Sequence, residues 1–173
     1  MQVELPALVA AKKTLPITPV WRRTGTLDWI QATAPLDIDG VTVEGLRVRV
    51  TAKQGLSNEN VTCQLEYLPS PRGSVRGGPL WRIEWRPLSP HNNRGLGPPE
   101  LRFVNQPESH HHPFTLNWTA VPQRVRRGQL PIAVPFPAAV QDTYEGLVAF
   151  VGDQFKIENA GIVPIPPWLG TML

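Results

Sequence analysis

One cysteine, Cys63, is all this chain has, so no intrachain disulfide can form and every zinc pattern built on several cysteines is excluded. No apolar run reaches the roughly eighteen residues that a membrane-spanning helix needs. The apolar stretch in MQVELPALVAAKKTLP is short, interrupted by Pro6 and followed by lysines instead of a small-residue cleavage site. These absences give the expectation of a cytoplasmic protein with no membrane partner. Sequence signatures of common chemistries are also missing: there is no G-x-S-x-G elbow, no G-x-x-x-x-G-K-[ST] phosphate loop and no G-x-G-x-x-G opening a helix. Lysine is scarce, since only Lys12, Lys13, Lys53 and Lys156 among the 17 basic residues are lysine. The rest are arginine, the side chain suited to bidentate phosphate contacts.

What is present is a mildly basic chain of 173 residues with 41% apolar content, net charge +3 and pI near 9.4. That length supports one core and one domain spanning residues 1–173. The 20 prolines fall between short runs of alternating apolar and polar residues, as punctuation between strands. Leu46, Val48 and Val50 alternate with Arg47, Arg49 and Thr51. Val61, Cys63, Leu65 and Tyr67 alternate with Thr62, Gln64 and Glu66, and Trp81, Ile83 and Trp85 with Arg82, Glu84 and Arg86. Leu101 and Phe103 flank Arg102, and Phe114, Leu116 and Trp118 alternate with Thr115 and Asn117. A period of two places successive side chains on opposite faces of a strand.

The expected fold is therefore α+β: a mainly antiparallel meander of five to seven strands over residues 26–119, with an amphipathic helix at 138–156 packed on its apolar face. Residues 1–20 form an N-terminal arm and residues 158–173 a proline-rich tail. Val140, Tyr144, Leu147, Val148, Val151 and Phe155 supply the helical stripe. A change of parity at Glu44 and Gly45 points to a bulge. Cys63 shares the parity of Val61 and Leu65 and reads as a small buried hydrophobe.

The stretch PESHHHPFTLNW concentrates three of the four histidines, His110, His111 and His112; the fourth is His91. Parity carried back from Thr115 and Asn117 places His111 on the arginine-bearing face. His91 can meet the triplet only if a long loop folds back across the sheet. Adjacent histidines diverge along a strand and no H-x-x-x-H spacing occurs, so neither metal nor cofactor is assigned.

Histidine is the commonest general acid or base. The candidate catalytic set is His111 with His91, His110 and His112, and the candidate substrate-binding set is Arg47, Arg49, Arg82, Arg86, Arg102 and Asn117. Glu66 and Glu84 read as cross-strand partners of arginine. The function expected is binding or cleavage of nucleic acid, as a metal-independent ribonuclease of the bacterial toxin or phage-defence kind, with RNA or another polyanion as partner. The alternative is a non-enzymatic domain whose Arg/His face binds a protein or is merely solvated.

Overall fold

A computed structural model of the chain describes residues 4–69 and 77–169. In chain order its elements are α1 (Leu5–Ala10), β1 (Trp21–Arg23), β2 (Trp29–Ile38), β3 (Val41–Lys53), β4 (Val61–Tyr67) and β5 (Gly78–Trp85). There follow β6 (His91–Asn92), β7 (Asn105–Gln106), β8 (His110–His112), α2 (Phe114–Ala120), α3 (Pro122–Val125), β9 (Val134–Pro135) and α4 (Tyr144–Phe155). Seven strands form one antiparallel sheet in the order β1-β2-β3-β4-β5-β8-β9, and β6 and β7 make a separate two-stranded ribbon. No helix among the described residues is long and apolar enough to cross a membrane.

The period-two runs of residues 46–50, 61–67 and 81–85 are strands, and the register pairs like with like. Val48 faces Leu65 and Val50 faces Cys63 across β3 and β4, while Cys63 faces Ile83 and Val61 faces Trp85 across β4 and β5. These side chains join Leu147, Val151 and Phe155 of α4 in one core. The register shift in the β2–β3 pair lies opposite Gly45, whose φ of +81° and closeness to the Leu68 carbonyl leave no room for a side chain.

Helix α4 starts later than residue 138. Thr143 caps it by accepting the Gly146 N–H, so Val140 precedes the helix, and Phe150 completes the buried stripe. Its last carbonyl, that of Phe155, accepts a hydrogen bond from Lys13 Nζ, which also bonds Val9 O and Ala11 O at the end of α1. The ammonium thus caps two helix C-termini, where the backbone dipoles favour a cation. Trp168 in the tail is buried and packs edge-on against Tyr144.

Two expected strands are absent. Pro98 and Pro99 open a single 3-10 turn over Pro99–Leu101 instead, and Phe103 is exposed. Residues 114–118 form helix, not strand: Pro113 sits at its N-cap, and Phe114 and Trp118 stack at helical i,i+4 spacing with ring centroids 5.3 Å apart. The place beside β5 goes to the three histidines themselves as β8.

Candidate metal centre

Because the strand ends before Pro113, parity cannot be carried back from Thr115 and Asn117, and the expected faces of the histidines are reversed. β8 pairs with β5 so that His111 lies opposite Ile83, while His112 and His110 lie opposite Arg82 and Glu84. His111 therefore points into the core. It accepts a hydrogen bond at Nδ1 from Trp81 Nε1 at 3.3 Å and packs edge-on against Phe150. Burial, with a smaller contribution from His110, lowers its pKa to about 4.

His110 and His112, two residues apart, share the polar face. The loop after β5 folds back over that face, and the β6–β7 ribbon lays His91 against them. Ring centroids are 4.6 Å apart for His91 and His112, 5.4 Å for His110 and His112, and 5.5 Å for His91 and His110. One ring nitrogen from each lies within 4.8 Å of the other two. In a tetrahedral zinc site with Zn–N near 2.0–2.1 Å the nitrogens sit about 3.3 Å apart, so each ring would close in by under about 1 Å.

The outer hydrogen bonds decide which nitrogens are free. Nδ1 of His110 lies 2.8 Å from Glu108 O, and Nδ1 of His112 lies 2.7 Å from Leu130 O. A carbonyl only accepts, so both Nδ1 atoms carry the hydrogen and both Nε2 atoms present lone pairs when the rings are neutral. Nε2 of His91 lies 3.0 Å from Pro131 O and 3.1 Å from Asn93 Oδ1, which makes it the donor and leaves Nδ1 as the lone pair. Each histidine thus has one backbone carbonyl fixing its tautomer, as metal-ligating histidines do.

The carboxylate of Glu84 adds a further acceptor. Its Oε2 is 2.7 Å from His110 Nε2 and 3.2 Å from His112 Nε2. Burial would by itself raise the Glu84 carboxyl, but the two imidazoles and Arg82 outweigh it and hold it below the usual carboxylate range. His112 is pushed down to about 3, chiefly by burial, and His91 is lowered for the same reason. Arg82 Nη2 lies 3.1 Å from His112 Nε2 and donates a hydrogen bond to it when that nitrogen carries the lone pair. The Nε2 atoms of His110 and His112 and the Oε2 atom of Glu84 thus face one another.

The carbonyls behind the histidines are themselves pinned. Asn117, fully buried, donates to Ile132 O and accepts from Ile132 N; Asn93 does the same with Ala133 O and N. Asn117 therefore positions the segment carrying Leu130 O and Pro131 O and does not face substrate. Gln106, across from His91 in the ribbon, donates to Ala133 O while its Oε1 is buried without a partner.

The expected arginine face is mostly spoken for. Arg47 and Arg49 both bond Glu66, and Arg49 also bonds Gln64. Arg86 leaves the strand with φ +46° and pairs with Asp142 while stacking on Trp85. Arg102 is exposed and donates to Gly97 O. Only Arg82 reaches the histidines. Sequence reading took Glu84 as an ordinary ion-pair partner and passed over Asn93 and Gln106; the turn-like HNNRG carried no signal of either contact. Compared with known proteins, the chain matches no family model, no curated protein and no solved structure.

Proposed function

We propose that the protein is a metalloprotein that binds a divalent transition ion, zinc by its donor set, through His91 Nδ1, His110 Nε2 and His112 Nε2, with Glu84 beside the fourth position. One observation carries this reading: one ring nitrogen from each of His91, His110 and His112 lies within 4.8 Å of the other two, Glu84 Oε2 stands against two of the rings, and each ring has a nitrogen within hydrogen-bond distance of a backbone carbonyl. Converging lone pairs repel unless a positive charge lies among them, and neutral imidazoles are ready to ligate without first losing a proton. Three histidines with a further position open to water or substrate is the composition of a catalytic zinc site. Calorimetric titration of chelator-treated protein with zinc at pH 7.5 is expected to give one equivalent bound and a raised melting temperature. Absence of uptake would refute the assignment.

A second reading keeps the centre metal-free, because the 2.7 Å contact between His110 Nε2 and Glu84 Oε2 is satisfied by one shared proton. Histidine acid–base chemistry beside Arg82 would then serve RNA cleavage, with the ribose 2′-hydroxyl as nucleophile. Cleavage of single-stranded RNA that is undiminished by EDTA would favour this reading over the first.

A further inference from the structure

Among the described residues Arg82 is the one guanidinium beside the histidines, and it is used differently from its neighbours on the sheet. Arg47 and Arg49 direct their Nε–H groups at Glu66, at 2.8 Å each. Arg82 Nε has no hydrogen-bond partner although it is buried; the nearest carboxylate oxygen, Glu84 Oε1, is 3.7 Å away, beyond hydrogen-bond range. The Arg82 and Glu84 side chains are 28% and 26% exposed, so the centre opens to solvent on the side where they stand. With a divalent ion bound, the charges of ion, Arg82 and Glu84 leave a local excess of two positive charges. Such a place attracts an anion with several acceptor oxygens, and a guanidinium and a metal ion together match the spacing of oxygens on one phosphorus.

We propose that the group this centre takes is a phosphate, one oxygen on the metal ion and another on Arg82. The proposal rests on the metal reading above. The phosphate could come from a free phosphate or monoester or from the backbone of an RNA strand, and the two sources separate in the experiment. Zinc affinity is measured first, for the parent and for Arg82→Gln and Arg82→Lys. Inorganic phosphate, a short single-stranded RNA and acetate are then titrated into each zinc-loaded protein.

Zinc affinity in Arg82→Gln is expected to be equal or higher, since a like charge has gone, while phosphate affinity falls by about tenfold to a hundredfold. Arg82→Lys should lie between, keeping the charge and losing the fork. Tight inorganic phosphate binding points to the free group, and RNA binding that free phosphate barely displaces points to the strand; either supports the proposal. Phosphate binding equal in parent and Arg82→Gln, acetate binding as tight as phosphate, or no anion binding to zinc-loaded protein would overturn it while leaving the metal site standing. No zinc uptake by the parent would remove the metal site itself.

Discussion

Glu66 and Glu84 sit on neighbouring strands of one sheet, on the same face, and their surroundings differ in kind. Glu66 is a closed ion pair: Arg47 donates to one oxygen and Arg49 to the other, so every close contact brings a hydrogen and a positive charge. Glu84 faces two imidazoles, each of which has its other ring nitrogen against a backbone carbonyl. The first arrangement is complete without a ligand, and its worth is structural. The second gathers imidazole nitrogens around a carboxylate with Arg82 as their one neighbouring guanidinium among the described residues, an arrangement a fold tolerates where a further positive charge belongs. Glu66 is 4% exposed between two arginines and Glu84 26% exposed beside one, and the kind of partner separates them further.

The largest effect expected is on the centre itself. Replacing His112 by Ala should weaken zinc binding by more than about a hundredfold, because a directly ligating group outweighs the supporting contacts. Replacing His111 by Ala should leave zinc affinity nearly unchanged and instead destabilise the fold by about 2–4 kcal/mol, as for a large-to-small core change. Equal loss of zinc binding in the two variants would show the faces to be misassigned. A smaller effect, about tenfold to a hundredfold in zinc affinity, is expected for Asn117→Ala and Asn93→Ala, since they release the carbonyls that orient His112 and His91.

The two glutamates should answer the same substitution with opposite signs. Glu66→Gln leaves two arginines short of an acceptor and should cost about 2 kcal/mol in chemical denaturation, allowing for their partial exposure. Glu84→Gln supplies an amide that can donate to the Nε2 lone pairs, so zinc-free protein at pH 8 should gain about 1 kcal/mol. Loss of stability in both variants would erase the distinction. The mildest expectation concerns acid. His111 and His112 titrate near 4 and 3 when folded, against about 6.5 when unfolded, so the unfolded chain takes up protons that the folded chain refuses. The zinc-free protein should hold its full stability above pH 6.5 and lose it progressively toward pH 4. His111→Phe should flatten that slope, and denaturation midpoints unchanged between pH 7 and 5 would contradict it.

How much of this could be read from the sequence follows from where the information lies. β3, β4 and β5 announce themselves because apolar and polar residues alternate locally, and the sheet's antiparallel order and the stripe of α4 follow from short-range pattern. β8 consists of three identical residues, so no contrast marks which side is which; its parity is set by pairing with Arg82 and Glu84, some 26 to 30 residues away. His91 reaches the site through a ribbon of two residues per strand, too short to leave a periodic signal. The helical character of residues 114–120 is hidden because Phe114, Leu116 and Trp118 also satisfy a period of two; the i,i+4 stack of Phe114 on Trp118 tips the balance. The four histidines stand out in the sequence as a set, whereas their division into three clustered rings and one core residue depends on contacts that no local pattern encodes.

Nitrogen-15 NMR of the histidine rings reads directly which nitrogen of each carries the hydrogen. In zinc-free protein at neutral pH, His110 and His112 should carry their hydrogen on Nδ1 and His91 on Nε2. Adding zinc should shift Nε2 of the first two and Nδ1 of the third while leaving His111 in place. The opposite tautomers, or a zinc-induced change at His111 with none at His91, would contradict the account.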